Sequence, residues 1–228
     1  MDGEGFDEQV AGIAALDHPL SRRVYRAVLQ AGEASRDEVA AAVETARSVA
    51  AFHLDKLEDA GLLACRFERV SGRSGPGAGR PAKLYRRADR EIELSLPPRR
   101  YDLAAAMLAD AVSRAEGAAV PLGSALAEAA GERGEQLGRA HAREHRRDAL
   151  ATVKAILEAN GYEPRRIGTA LALLNCPFHH LAEEHRALVC GMNKDFLTGV
   201  VKGAGAQDAL SARLAPEAGY CCVRVERN

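Results

Sequence analysis

Tryptophan is absent from this 228-residue chain, and aromatic residues make up only 4% of it. Proteins that hold single-stranded nucleic acid stack its bases on aromatic rings, so this scarcity argues against single-strand or RNA binding. No apolar run approaches the length of a membrane span. The opening residues, Met1-Asp-Gly-Glu-Gly-Phe-Asp-Glu8, are acidic and lack the basic and apolar regions of an export signal, so a cytoplasmic chain is expected. Positive charge is not in excess either. The formal net charge is −1, and any affinity for DNA must come from a local patch. Five cysteines are an odd number for a disulfide framework, and no Cys-x-x-Cys pair occurs; metal or redox chemistry is the better expectation. What is present is 47% hydrophobic and 28% charged residues, with abundant alanine. That composition and length predict a mostly helical α+β chain of two modest domains.

The most informative stretch is residues 35–87. Ser35 followed by Glu38 is a capping box that starts a helix reaching Val43. Glu44 and Thr45 break the run, and Thr45 is placed to cap a second helix. Val49, Leu54 and Leu57 fall near one face of that helix, and Gly61 stands where a left-handed C-terminal residue is wanted. Two short helices and a tight turn predict a helix-turn-helix whose second helix offers Arg47, Ser48, Ala51 and Lys56 to the major groove. Thr45 and His53 are candidate phosphate contacts. An alternating stretch from Leu62 to Val70 and a second one, Ala82-Lys-Leu-Tyr-Arg86, predict a hairpin, the wing. Between Arg69 and Arg87 there are six basic residues and no acidic one. Arg73, Arg80 and Lys83 are therefore assigned to phosphate or minor-groove contact. His53-Leu-Asp-Lys-Leu57, Ala60-Gly-Leu-Leu63 and Gly79-Arg-Pro-Ala-Lys-Leu-Tyr85 resemble the winged-helix domains of ArsR-like and DeoR-like bacterial repressors. The resemblance covers about the first hundred residues and implies double-stranded DNA as partner.

Upstream, Val10 to Leu16 reads as a short helix and Pro19 to Gln30 as the first helix of the winged domain. Glu91 to Leu96 alternates and is expected as a third strand. Pro97-Pro98 permits neither helix nor sheet and marks the boundary of a 1–96 DNA-binding domain. A helical connector over 97–146 follows. Its helix from Leu103 to Glu116 carries a stripe of Leu103, Met107, Ala111 and Val112, expected as a homodimer contact because major-groove readers need two half-sites. Pro121 to Arg146 is expected to be helical with interruptions at Gly131 and Gly134. His141 and His145 share metal-ligand spacing there, but the arginines around them favour a solvated polar face. Residues 147–228 are expected to form a small α/β sensor domain: a helix to Asn160, a hairpin turning near Gly168, two helices, and two last strands.

Four cysteines lie in that domain: Cys176, Cys190, Cys221 and Cys222. Thiolates converging from a strand end, a helix and a last strand can hold zinc or an iron–sulfur cluster, and Cys176-Pro-Phe-His179 adds His179 as a possible donor. Strand alternation sends Cys221 and Cys222 to opposite faces, so one of the two is expected in the core. Asn175-Cys-Pro-Phe-His179, Cys190 and Gly219-Tyr-Cys-Cys-Val223 resemble the sensor domain of SufR-type iron–sulfur repressors, as do Ser95-Leu-Pro-Pro-Arg99 and Gly161-Tyr-Glu-Pro164. That resemblance implies a cluster on Cys176, Cys190 and one of Cys221 or Cys222, controlling operator binding. The chain departs from the pattern in lacking one more well-separated cysteine. The resulting expectation is a dimeric winged-helix repressor that senses iron–sulfur, metal or redox state, and not an enzyme. Two other readings compete: a structural zinc site with a small-molecule ligand elsewhere, and an enzyme pairing Cys176 with His179 or His180 as nucleophile and base.

Overall fold

The computed structural model describes residues 3–68, 81–141 and 148–228. Contacts divide it into two compact units, Asp2–Leu94 and Ser95–Asn228. The first holds helices α1 (Gly3–Ala15), α2 (Pro19–Ala31), α3 (Arg36–Ala42) and α4 (Arg47–Asp59), with strands β1 (Glu33–Ser35), β2 (Leu63–Glu68) and β3 (Ala82–Arg87). The helix ends follow local chemistry. Pro19 opens α2, where its missing N–H costs nothing, and the His18 side chain accepts the Leu20 N–H at 3.1 Å. Ser35 and Glu38 form the reciprocal capping box of α3. Gly61, at φ +70°, follows α4 in the left-handed conformation. Three expectations are corrected. The helix around Val10 begins at Gly3. The cap of α4 is Ala46, with no side-chain bond, and not Thr45. Glu91–Leu96 is not a strand: both edges of β3 are already paired, to β1 and to β2, in an antiparallel sheet of order β1-β3-β2. Ile92 instead packs against Gly12, where an added Cβ would lie 2.3 Å from its Cδ1.

The second unit holds α5 (Tyr101–Ala118), α6 (Leu122–His141), α7 (Ala149–Ala159), α8 (His179–Glu184) and α9 (Arg186–Gly203). Strands β4 (Pro164–Ile167), β5 (Ala170–Leu173), β6 (Leu210–Leu214) and β7 (Val223–Arg227) form an antiparallel sheet of order β4-β5-β7-β6. The expected connector does not stand apart, because α5 and α6 share one core with the C-terminal sheet. Met107 and Ala111, assigned to a dimer stripe, are fully buried in that core, while Val112 is exposed. Gly131 and Gly134 do not interrupt α6. They face α9, so the two helices meet backbone to backbone. Among the described residues, no helix is long and apolar enough to cross a membrane.

Candidate functional site

Helix α4 buries Ala50, His53, Leu54 and Leu57 and turns Ser48, Phe52, Lys56 and Asp59 outward. Val49, expected inward, is 39% exposed. Arg47 and Ser48 lie exposed in the first turn, with Arg47 ion-paired to Asp37, and Ala51 is half-buried. Thr45 is half-buried in the turn before α4, its N–H bonded to the Ala40 carbonyl at 3.0 Å. Two assignments change. His53 is 7% exposed, and its Nδ1 pairs with Ser21 Oγ at 2.9 Å. Burial, then the nearby His18 and Lys56, holds its pKa below the usual value. A buried imidazole bonded to Ser21 is core structure and not a phosphate contact. Lys83 turns inward as well: its ammonium bonds Asp55 at 3.0 Å, pairs with Glu58, and lies 4.8 Å from the centre of the Tyr85 ring. Arg73 and Arg80 lie outside the described residues.

Asp55 is a hub that sequence reasoning missed. Arg36 Nη2 lies 2.8 Å from both its oxygens, Tyr85 Oη donates at 2.6 Å, and Lys83 donates at 3.0 Å. These bonds tie α3, α4 and β3 together. Burial raises the Asp55 pKa, but the bonds from Tyr85, Lys83 and Arg36 outweigh it and bring it from 3.8 down to about 2. A depressed carboxylate pKa contributes stability that is present above the unfolded value and lost as pH falls through the folded one. Amide hydrogen exchange in α4 should therefore accelerate as pH falls from about 4 to about 2, beyond the intrinsic pH effect. Solvent screening of a side chain 42% exposed limits the loss to ~1 kcal/mol. Asp55→Asn should abolish this acid dependence. An equally steep loss in the variant would assign it to other groups.

The second unit gathers the cysteines. Cys190 of α9 and Cys222, just before β7, form a disulfide with Cα atoms 6.2 Å apart. The Cys221 N–H bonds the Leu173 carbonyl at 2.7 Å, which sets Cys221 beside the end of β5, where Cys176 follows. Cys221 faces the core with Val223 and Val225, and Cys222 alternates outward. A buried chain supports the inner thiol: Tyr162 Oη donates to Asn193, and Asn193 Nδ2 donates to Cys221 Sγ at 3.3 Å. The Cys221 thiol in turn hydrogen-bonds Cys176. That bond, against the pull of burial, lowers the Cys176 pKa with help from the Phe178 N–H and Arg99, and it raises that of Cys221. Cys176 is thus the thiol of the pair that ionises first. All four cysteines, His179 and Arg186 line one cleft of about 480 Å³.

Among the described residues, no three His, Cys, Asp or Glu side chains are set to hold one metal ion. With Cys190 and Cys222 joined, the donor set does not fit a cluster, although all four cysteines line the one cleft. His179 and His180 both turn to Glu183, at 3.3 and 3.1 Å, and the Cys176 thiol bonds Cys221 and the Phe178 N–H. Cys65 lies in β2, in the other unit.

The segment entering the second unit is knitted to the same corner. Arg99 Nη1 donates to the Asn175 side chain at 2.5 Å and to the Cys176 carbonyl at 3.1 Å. Asn175 Nδ2 donates to the Pro98 carbonyl at 2.9 Å, and the Arg100 N–H donates to the Pro177 carbonyl at 3.1 Å. The signals for these residues were their places: Asn175 beside Cys176, and Asn193 as a polar residue among apolar ones in α9.

Helices α2, α3 and α4, with the outer side of the second helix of the helix-turn-helix exposed and an antiparallel three-stranded sheet in the same unit, define a DNA-binding module of transcription regulators. Residues 16–66, from the turn before α2 into β2, match the family model of a helix-turn-helix domain. No curated protein and no solved structure matches the chain. The domain supports a DNA-binding transcription regulator rather than an enzyme.

Proposed function

We propose that the protein is a cytoplasmic repressor that binds double-stranded DNA as a homodimer, and that an iron–sulfur cluster on Cys176, Cys190, Cys222 and Cys221 controls its operator affinity. The observation that carries this reading is the cleft: cysteines from β5's end, α9 and the approach to β7 line one space. Such a cluster would supply an oxygen-sensitive change of charge and shape. The residues around it would carry the signal outward. Arg99 and Asn175 bond the backbone at Pro98 and Cys176, so a shift at the cysteine corner is felt by the segment that leads back to the winged unit.

The Cys190–Cys222 disulfide favours a second reading, in which those two thiols are themselves the sensor. Forming that bond releases two electrons and two protons to an oxidant such as a peroxide, and a small-molecule dithiol reverses it.

The deciding experiment is anaerobic purification with iron, sulfide, zinc and free-thiol counts, followed by binding to a selected duplex in each state. Iron with sulfide, and at least a tenfold affinity change (about 1.4 kcal/mol) on cluster loss, is the expected result. A metal-free protein whose affinity follows the thiol count selects the second reading. Zinc without iron selects a structural metal, and equal affinity in every state removes the cleft from control.

A further inference from the structure

The most exposed large apolar side chain of α4 is Phe52, at 65%. It stands four residues after Ser48 and four before Lys56, so the three share the outward side of the helix. Its ring forms a T-shaped pair with that of the buried His53, with centroids 5.3 Å apart. Isolated apolar residues are common on protein surfaces, and exposure alone says nothing. The place of this one does: it is the middle of the helix that a helix-turn-helix lays in the major groove.

Consider what a phenyl ring can meet there. Guanine, cytosine and adenine present donors, acceptors and at most a C–H edge on the groove floor, with no methyl group. Pressing a ring against them removes water and returns no hydrogen bond, which is costly. Thymine alone presents a methyl group, at C5. Charge does not forbid the approach. Asp55, three residues further on, is matched by Arg36 and Lys83, and Lys56 is exposed with no acidic partner among the described residues. Asp59 lies at the last turn, a full seven residues from Phe52.

We infer that Phe52 is a specificity-determining residue that reads the C5-methyl group of a thymine in the major groove. The inference rests on DNA binding through α4. The test begins with duplexes selected from a random pool by the full chain. Each thymine in the bound site is then replaced by deoxyuridine, which removes only the methyl group.

One thymine per half-site should show about a fourfold loss of affinity, the value of one buried methyl. Phe52→Ala should weaken binding to the thymine duplex about tenfold and lose the deoxyuridine effect at that position. Phe52→Leu, which keeps an apolar tip, should retain it. Full tolerance of deoxyuridine by the wild type, or undiminished sensitivity in Phe52→Ala, overturns the inference while leaving DNA binding intact. A pool that yields no duplex overturns DNA binding by α4 and this reading together.

Discussion

Replacing Gly199 with alanine should unfold the Ser95–Asn228 unit or cost it at least ~4 kcal/mol. An alanine Cβ there would lie 2.0 Å from the carbonyl oxygen of Gly131 on α6. The same closeness is found in the other direction. A Cβ on Gly134 would lie 2.0 Å from the Phe196 carbonyl oxygen, and one on Gly203 would lie 2.1 Å from that of Glu135. These are backbone atoms of two packed helices, which cannot swing aside as the end of a side chain can. The helices must part, and the buried Leu126, Phe196, Leu197 and Val200 lose their packing together. Gly191, on the same helix, has nothing within 4 Å of its added Cβ, so Gly191→Ala should stabilise by about 0.5–1 kcal/mol through helix propensity. Thermal unfolding by circular dichroism compares the pair. A Gly199→Ala protein that melts like the wild type would refute the close helix contact.

Reduction should lower the stability of the same unit by ~3–4 kcal/mol, because the Cys190–Cys222 bond closes a loop of sequence separation 32 in the unfolded chain. Cys190→Ser and Cys222→Ser should match each other, resemble the reduced wild type, and be indifferent to reductant. Under the proposed function each should also remove the response of operator affinity, leaving it constant across redox states. Cys176→Ser should lose the response without losing the reductant-sensitive stability, since its thiol is outside the disulfide. Cys65→Ser should change neither. Denaturant titrations with and without reductant, paired with binding isotherms, read both effects. Unequal behaviour of the Cys190 and Cys222 variants would contradict their pairing.

Several errors of the sequence reading share one cause. The stripe of Met107 and Ala111 was recognisable as apolar, but periodicity cannot say whether an apolar face meets its own domain or a second copy; the structure buries it against its own core. Lys83 counted as one more cation in a basic segment. Only the fold brings Asp55 and Glu58 to its ammonium and converts it from a surface charge to a clamp. Phe52 escaped attention because a single aromatic among helical positions carries no periodic signal; its meaning comes from knowing which side of α4 faces out.

What the sequence determined by itself is local: the capped start of α3 at Ser35, the left-handed stop at Gly61, the stretches that become β2, β3 and β6, and hence a mostly helical α+β chain with an N-terminal helix-turn-helix. These features arise from interactions within a few residues, whose spacing the sequence displays directly. Tertiary structure decided the rest. It turned His53 inward to Ser21 and made glycines of α6 a contact surface instead of breaks. It also joined Cys190 to Cys222 while setting Cys176 against Cys221. Each outcome depends on a partner distant in sequence, and burial makes the choice among possible partners because an unpaired polar group or a void in a packed interior costs more than any local preference returns.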